Sequence, residues 1–411
     1  MEKLNETSIE ITVLYREKNE DKKNWRGFIM KLEDFQAGIY VSQGDFSALS
    51  PAPVDVPWEW SDTSLNMLLE KASSEIGSLN AYADLIPNID IYIKMHIRTE
   101  ANKSSKIEGT KTSIEEDLMH VNDVAPNKRD DHVEVNNYVS ALNYGIKRIT
   151  EDEFPLCLRL IREIHEILMQ GVRGERKTPG EFRRSQNWVG GGNMPSTAHY
   201  VPPSVPDMNI ALSDFEIFIN NDNNSIPHLI KAAIIHYQFE TMHPFLDGNG
   251  RVGRLIIPLY LLSKGVISKP CFYISDYFER NRALYYHALD KPRKDNDLKH
   301  WIEFFLSATI DTAMSAKRKF STAVQVVGEI NKKALSIKGR TDNVFAIINL
   351  FFSEPLLSIK DIYNKTGLPQ RTVSGIVNDM QKNDILVETT GFTRNKTFIL
   401  KDYVDAFKLN D

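Results

Sequence analysis

The segment from His243 to Arg254 concentrates residue types that bind phosphate, reading His-Pro-Phe-Leu-Asp-Gly-Asn-Gly-Arg-Val-Gly-Arg. Gly248 and Gly250 let the backbone approach a ligand closely, and the neighbouring N–H groups can form an anion-binding nest. Arg251 and Arg254 are three residues apart, which places both guanidinium groups on one face of a following helix. N–H donors at a positive helix N-terminus, together with two guanidinium forks, suit a polyphosphate.

Two more side chains of this segment offer a proton acceptor and a metal ligand. His243 can take up a proton near neutral pH. Asp247 is a carboxylate of the kind that holds Mg²⁺ beside phosphates. A lone Gly-Asn-Gly with arginines is also typical of an ordinary surface turn. The combination of base, carboxylate, glycines and paired arginines favours a polyphosphate site.

Helices must position this loop. Apolar residues recur at three- and four-residue spacing over Pro227–Thr241 and Arg251–Lys264, so the loop joins two core helices. The same spacing predicts a helix from Ser61 onward and further helices at Ile89–Ser105, Ser113–Asp123, Asp131–Ile149, Pro155–Leu168, Met208–Asn220 and Asp276–Leu289, and one long helix or two at Leu298–Ala334. The predicted body is an all-α helical bundle.

Strand signals are scarce around this bundle. Two apolar segments, Asn187–Val189 and His199–Val201, flank three glycines, which predicts a small β-hairpin. Alternation at Ile9, Ile11 and Val13 indicates at most a short strand within irregular residues 1–50. The prolines of Ser50–Pro53 predict a stiff, extended connector.

The C-terminal part has a different pattern. A helix at Val344–Phe352 precedes Ser358, a plausible N-cap with Asp361 in the first turn. The pattern continues with a turn at Gly367, a helix at Gln370–Lys382, and strands at Ile385–Val387 and Thr397–Leu400. This order predicts a winged helix-turn-helix. We therefore predict an N-terminal region at 1–125, a catalytic core at 126–335 and a winged-helix domain at 336–411.

Composition narrows the class of protein. The 411 residues are 42% hydrophobic and 26% charged, as in ordinary globular proteins, and the net charge of −5 argues against a nucleic-acid surface over the whole protein. Cys157 and Cys271 are the two cysteines, which we interpret as reduced thiols. The sequence shows no signal peptide and no membrane-length apolar run. We expect a cytoplasmic protein.

The complete segment His243–Arg254 resembles the signature of Fic-domain adenylyltransferases, His-Pro-Phe-x-Asp-Gly-Asn-Gly-Arg-x-x-Arg. The resemblance extends from about Pro51 to the helix near Leu306. It implies a helical Fic fold, ATP with Mg²⁺, and transfer of AMP to a Ser, Thr or Tyr hydroxyl of a protein, including the chain itself. Relatives with Lys in place of Gly250 resemble the Doc kinases, so this sequence has the AMP-transferring form.

The resemblance also implies roles for single residues. His243 takes the proton of the target hydroxyl, Phe245 anchors the loop, and Asp247 holds the metal. ATP is bound by Gly248, Asn249, Gly250, Arg251 and Arg254, and Tyr285 and Tyr286 resemble the segment that lines the adenine pocket. Aromatic pairs on helices are more often core residues. The segment at 188–200 resembles the Fic flap, where an exposed strand edge pairs with the target protein.

Ser104-Ser105-Lys106-Ile107-Glu108-Gly109 resembles the inhibitory motif of the family. The resemblance implies that Glu108 pairs with Arg254 and takes the place of the γ-phosphate, so that ATP binds unproductively. The inhibitor then lies on the N-terminal side of the same chain. A solvated helix end is the alternative, because residues four apart often share a helix face. Glu108 is also a weaker candidate for supporting AMP removal from a modified target.

The predicted winged helix leaves the partner open. Its second helix offers Arg371 and Lys382 against Asp379, and its wing offers Arg394 and Lys396. These charges are few for a DNA-binding surface, so we favour protein docking or homodimer contacts over DNA. A DNA-binding regulator with a nucleotide-sensing helical domain is the alternative function. A Fic enzyme that uses another nucleotide, such as UTP or GTP, is a third.

Overall fold

The computed structural model describes residues 29–172, 177–223, 225–337, 339–391 and 396–408, and the strand predicted around Ile9 lies outside them. The chain divides into two compact units. The first unit comprises residues 1–74, 140–268 and 280–310, and the second comprises 75–139, 269–279 and 311–411. The three consecutive domains stay a prediction.

Most described residues are helical, as the sequence predicted. The helices are α1 (Thr63–Leu85), α2 (Asp90–Ile107), α3 (Ile114–Leu118), α4 (Arg129–Thr150), α5 (Leu158–Leu168), α6 (Val205–Asn220), α7 (His228–Met242), α8 (Asn249–Ser263), α9 (Ser275–Arg280), α10 (Arg282–Asp295), α11 (Leu298–Leu335), α12 (Thr341–Ser353), α13 (Ile359–Thr366), α14 (Gln370–Lys382) and α15 (Lys401–Asp405). None of the helices within the described ranges combines the length and apolar character needed to cross a bilayer.

Two of the predicted helices differ from the structure. The helix predicted over Asp276–Leu289 is interrupted at Asn281, whose φ of −112° and ψ of 33° leave the helical region, so α9 and α10 are separate. The helix predicted over Ser113–Asp123 stops at Leu118, because Met119 is extended. Ser113 and Glu116 cap the start of α3 by bonding each other's backbone N–H.

Within its described residues, the first unit contains four short strands. These are β1 (Met30–Lys31), β2 (Gly38–Ser42), β3 (Ser47–Pro51) and β4 (Trp58–Glu59), with β1 parallel to β4 and β2 antiparallel to β3. The connector predicted at Ser50–Pro53 was partly wrong, since Ser50 pairs with Ile39 and Pro51 with Gly38. Pro51 is tolerated there because it ends an outer strand.

The predicted hairpin at 188–200 is much less paired than expected. Over the fully described segment 187–201, pairing consists of one antiparallel bridge between Val189 and Tyr200. Gly190 and Gly191 have φ of 66° and 77°, and a Cβ at Gly191 would lie 2.0 Å from the Thr197 carbonyl oxygen. The glycines therefore form a tight loop in place of strand residues.

The second unit carries the predicted C-terminal helices and strands in their predicted order, with one additional strand, between the first two helices, that was not predicted. α12 is followed by β5 (Leu356–Ser358), α13, α14, β6 (Val387–Glu388) and β7 (Thr397–Ile399), with strand order β5-β7-β6. Ser358 and Asp361 form the predicted cap of α13, and Gly367 ends that helix with φ of 68°. The inward face of α14 is buried at Val373, Ile376, Val377 and Met380. Arg394 of the predicted wing lies outside the described residues.

Candidate active site

A loop joins α7 to α8 in the core of the first unit. His243 ends α7 in the left-handed region with φ of 46°, an unusual conformation for a residue with a side chain. Gly248 precedes α8 with φ of 76°. The N-terminal turn of α8 therefore begins directly after the sharp loop, and the positive end of its dipole favours an anion at this place.

Gly248 is required by both conformation and space. A Cβ there would lie 2.8 Å from Met169 Sδ, a distance that needs movement of the buried Met169 side chain. We expect Gly248→Ala to lower the free energy of unfolding by about 2–4 kcal/mol, from left-handed strain plus crowding. Gly265→Ala is the matched control, because Gly265 has φ of 64° and open space around its Cβ position. Urea unfolding of both variants should show a loss at Gly265 of about 1 kcal/mol. Equal losses at the two sites would contradict the crowding.

The Asn249 side chain holds the loop together and faces away from solvent, with 2% exposed. Its Oδ1 accepts the Phe245 N–H at 2.8 Å, and its Nδ2 donates to the Phe245 carbonyl at 2.8 Å. The Asn249 side chain is thereby engaged with the backbone. A phosphate-binding contribution at this position therefore falls to the backbone N–H.

Phe245 is fully buried and stacks on His165 of α5, with ring centroids 3.7 Å apart and planes within 6°. His165 Nδ1 accepts the Gly180 N–H at 2.9 Å, so its Nε2–H donates to the Asp247 carbonyl at 3.1 Å. Burial lowers the pKa of His165 to about 4, which keeps the ring neutral and fixes this tautomer. Nothing in the sequence pattern pointed to His165, which lies on an amphipathic helix.

Arg183 and Asn187 fix the backbone of the loop from a distant part of the chain. Arg183 is 1% exposed and donates from Nε to the His243 carbonyl at 3.1 Å and from Nη2 to the Pro203 carbonyl at 2.5 Å. Asn187 Nδ2 donates to the carbonyls of His243 and Phe245 at 3.1 and 2.9 Å. Neither residue could be predicted from the sequence, since a lone Arg or Asn before a glycine-rich segment has no distinctive spacing.

The imidazole of His243 lies near a buried carboxylate. Glu240, one turn earlier on α7, places Oε2 4.0 Å from His243 Nδ1. Gly253 makes room for this carboxylate, because a Cβ at Gly253 would lie 2.2 Å from Glu240 Oε1. The carboxylate therefore lies on the Nδ1 side of the imidazole ring. Gly253 is part of the sequence motif, but the sequence alone gave no reason for a glycine at this position.

The predicted phosphate ligands lie on the first turns of α8. Arg251 and Arg254 are 4% and 1% exposed, so both guanidinium groups lie below the surface. The Asp247 carboxylate is 48% exposed, accepts the Gly248 N–H at 2.6 Å, and lies 3.9 Å from Arg251 Nη2. The structure thus brings His243, Asp247 and the two arginines to one loop and helix start.

Tyr285 and Tyr286, the two candidates for lining the adenine pocket, differ in exposure. Tyr285 is 1% exposed, and its hydroxyl donates to His236 Nε2 at 2.9 Å while its ring lies beside Trp301. Tyr285 is thus a core residue in this structure, which does not support base stacking on it. Tyr286 is 42% exposed, so Tyr286 is the better candidate for contact with the base.

Glu108 belongs to the second unit, whereas Arg254 belongs to the first, and their pairing stays a prediction. Glu108 is exposed and caps the end of α2, with its N–H donating to the Ser105 carbonyl at 3.0 Å. The chain after it is held by Asn102, whose Nδ2 donates to the Thr112 carbonyl at 3.0 Å and to Asp117 Oδ2 at 2.6 Å. These contacts fix the segment on both sides of Gly109.

Burial raises the pKa of the Asp117 carboxyl to about 6, although bonds from Thr112 and Asn102 oppose the shift. The folded state then binds the proton more tightly than the unfolded state, so stability falls as the pH rises from about 4 to about 6. This decline in the free energy of unfolding is on the order of 2 kcal/mol over that interval, and we expect the Asp117→Asn variant to lack it. Urea unfolding at several pH values measures this. Asp342→Asn, at an exposed carboxyl of the same unit, should retain the decline.

The sequence of this chain matches two protein-family models and curated proteins. The Fic/DOC family N-terminal model matches residues 66–147, and the Fic/DOC family model matches residues 155–261. The curated "Protein adenylyltransferase Fic" of Drosophila virilis is 32% identical over 184 residues, 44% of this chain and 34% of the relative. That of Drosophila ananassae is 30% identical over 184 residues, 44% of this chain and 33% of the relative. The chain thus spans about a third of the length of these relatives.

A solved structure shares the fold. The Fic family protein from Desulfovibrio desulfuricans G20 superposes with a TM-score of 0.52 and 21% identity. The superposition covers 84% of this chain and 98% of that chain.

Proposed function

Since this chain belongs to the Fic/DOC family, we propose that it transfers AMP from ATP to a Ser, Thr or Tyr hydroxyl of a protein. The observation that carries the proposal is the placement of His243 at the end of α7 beside the N-terminal turn of α8 with its two arginines. One short loop thereby combines a proton acceptor with donors for a polyphosphate. The curated relatives named protein adenylyltransferases support AMP as the transferred group.

The reaction needs positioning and charge stabilisation more than covalent chemistry by the protein. The target hydroxyl oxygen attacks the α-phosphorus, and the bond from that phosphorus to the oxygen bridging to the β-phosphate breaks. Pyrophosphate leaves with that electron pair, while the hydroxyl proton passes to His243. Glu240, 4.0 Å from His243 Nδ1, favours the imidazolium that forms. Arg251, Arg254 and the α8 N–H groups bind the phosphates.

Asp247 fits the Mg²⁺ that the family implies. Its carboxylate is half exposed and lies at the start of the phosphate-binding turn. Mg²⁺ is commonly bound by one or two carboxylates plus substrate phosphates, so a single carboxylate here is sufficient from the protein. Bound Mg²⁺ supplies charge neutralisation of the polyphosphate. The backbone N–H of Gly248, bonded to Asp247 Oδ1, orients that carboxylate.

Glu108 supplies the regulation in this proposal. Its place at the end of α2, fixed by Asn102 and Asp117, gives a carboxylate a defined position in the second unit. By pairing with Arg254 it competes with the γ-phosphate and leaves ATP in an unproductive pose. Removal of Glu108 then frees Arg254 for the nucleotide.

The position of the label on ATP tests the proposed reaction. The full chain carrying Glu108→Gly is incubated with Mg²⁺ and ATP labelled at either the α- or the γ-phosphate. Label should enter protein from the α-position, together with adenosine, and remain absent from the γ-position. Incorporation from the γ-position would identify a kinase and contradict the proposal. UTP and GTP labelled in the same way test the alternative nucleotides.

We favour protein contacts over DNA for the C-terminal elements, on charge. Five lysines of this C-terminal part lie within 4.0 Å of one of its carboxylates: Lys365 with Glu354, Lys382 with Asp379, Lys396 with Glu388, and Lys401 and Lys408 with Asp405. Such pairing reduces the positive field that a DNA backbone needs. Two results together would favour a DNA-binding regulator. The full chain would bind a duplex DNA library in a salt-dependent way, and the Glu108→Gly variant would transfer no label to protein.

A further inference from the structure

Within the second unit, residues 401–408, here called the C-terminal segment, pack against α2, the helix that precedes Glu108. The hydroxyl of Tyr403 in α15 donates to the Ile91 carbonyl in the first turn of α2 at 2.7 Å. The Tyr403 ring lies beside that of Tyr92, with centroids 6.3 Å apart. Since Tyr403 is fully buried, this contact is part of the core of the unit.

A second aromatic contact lies one turn further along α2. The ring of His96 is buried, and its centroid lies 6.5 Å from that of Phe407, which is also buried. The Phe320 ring of α11 lies beside both, with centroids 5.2 Å from His96 and 6.4 Å from Phe407. His96 Nε2–H donates to the Cys271 carbonyl at 3.2 Å, which fixes the imidazole. A movement of Phe407 would therefore leave a space against a buried side chain of α2.

The chain that follows Glu108 is tied to the same C-terminal segment. The ammonium group of Lys408 pairs with the Glu115 carboxylate at the start of α3. Glu115 lies two residues before Asp117, whose Oδ2 accepts a hydrogen bond from Asn102 of α2 at 2.6 Å. Contacts of the C-terminal segment therefore lie on both sides of Glu108 along the chain.

The helix α2 is suited to carry a movement from one end to the other. It has 18 residues, which corresponds to a length of about 27 Å at 1.5 Å per residue. It contains no proline or glycine, the residues at which helices commonly kink. A shift of the C-terminal segment at Ile91 and His96 would therefore move the far end of a stiff helix, where Glu108 lies.

We propose that the C-terminal segment sets the position of Glu108 and thereby the strength of its inhibition. The inference rests on the proposed AMP transfer and on the proposed pairing of Glu108 with Arg254, and it adds the part of the chain that controls this pairing. With α15 packed on α2, Glu108 is held for Arg254. When α15 separates from α2, the glutamate is released and Arg254 can bind the γ-phosphate.

Tyr403 and Phe407 are then positioning residues, because they act on the nucleotide site through α2 and touch no substrate. Tyr403→Phe removes only the hydroxyl that bonds Ile91, and Phe407→Leu shortens the side chain beside His96. Each variant of the full chain should raise the initial rate of AMP transfer to the chain itself by about 2–10-fold, the effect of losing one buried contact. ATP labelled at its α-phosphate, with Mg²⁺, measures this rate.

Tyr273 provides the matched control. It is a buried tyrosine of the same unit, and its hydroxyl donates to the nearby Pro270 carbonyl at 3.0 Å. Tyr273→Phe therefore removes a tyrosine hydroxyl bond without removing a bond to α2, and it should leave the rate of transfer unchanged. A cooperative thermal transition shows that each variant is folded. Tyr403→Phe, which keeps its ring, carries the test if Phe407→Leu does not fold.

Two further measurements distinguish control through Glu108 from a general effect on the structure. In the chain that already carries Glu108→Gly, Tyr403→Phe and Phe407→Leu should give no further increase, because the carboxylate that they position is absent. Amide hydrogen exchange gives a readout that does not depend on transfer. The amides of residues 104–112 should exchange faster in both variants, since α2 opens more often, and at the parental rate in Tyr273→Phe.

The outcomes separate this inference from the proposals on which it rests. If the chain carrying Glu108→Gly transfers no label, the AMP transfer is wrong, and if it is no faster than its parent, inhibition by Glu108 is wrong. If Glu108→Gly is faster but the folded variants of the C-terminal segment are not, the segment does not control Glu108. An equal increase from Tyr403→Phe with and without Glu108→Gly would also overturn the inference, because the segment would then act through another group.

Discussion

Replacing His243 with Ala in the Glu108→Gly background should lower AMP transfer to protein by about 10²–10⁴-fold, the usual contribution of a general base. The Ala side chain cannot accept the hydroxyl proton, so attack on the α-phosphorus loses its proton acceptor. The phosphate donors of α8 are unchanged by this variant. Nucleotide binding should therefore persist, which predicts a loss in kcat at nearly constant affinity for ATP.

A matched histidine distinguishes this chemistry from a general loss of structure. His228 begins the same helix that His243 follows, and its Nδ1 bonds the Tyr260 hydroxyl at 3.0 Å. His228→Ala should keep most of the transfer activity. Initial rates with ATP labelled at the α-phosphate, and calorimetric titration with Mg²⁺ and ATP, measure the two quantities. Equal rates for the His243 variant and its parent would remove His243 from the mechanism.

Much of the candidate site could be predicted because its residues are consecutive. The spacing from His243 to Arg254 specified a loop, a helix start and two arginines on one face, and the structure contains each of these. Elsewhere too, a short sequence pattern was enough to predict the structure where side chains bond backbone groups of the same segment. The cap of α13 by Ser358 and Asp361 is an example, since the side chains bond the N–H groups of residues three apart.

The parts that were missed depend on contacts between distant segments. His165, Arg183 and Asn187 position the loop from α5 and from residues before the glycine-rich segment. Their residue types carry no spacing pattern, because each bonds backbone groups that the fold brings to it. The β2–β3 pairing was missed for a related reason, since its short strands include Gly38 and Pro51, which normally disfavour strands.

The segment at 188–200 shows how a correct local pattern can overpredict regular structure. Two apolar segments around glycines predicted a hairpin, yet within the described residues 187–201 only Val189 and Tyr200 pair. A Cβ at Gly191 would meet the Thr197 carbonyl, so the chain turns back too closely there for a regular ladder. Val201 instead accepts a bond from Leu49. Tertiary pairing with β3 thus replaces local pairing within the segment.

Removing the Glu108 carboxylate should raise AMP transfer by about 10–100-fold, the range that corresponds to loss of a charge-assisted contact of about 1.5–3 kcal/mol. Glu108→Gly removes the side chain at a helix end, where Gly is well tolerated. Glu108→Gln keeps the shape and removes the charge, so it should give a smaller increase. Both effects follow if the carboxylate competes with the γ-phosphate for Arg254.

Arg254 provides the decisive comparison for this inhibition. Glu108→Gly combined with Arg254→Ala should show little of the increase, because the released guanidinium is no longer present to bind phosphate. Glu329→Gln is the control for removal of a negative charge, since Glu329 is an exposed residue of α11 in the same unit as Glu108. Initial rates with saturating ATP and Mg²⁺ compare the variants. An increase that survives Arg254→Ala in full would show that Glu108 acts through a different group.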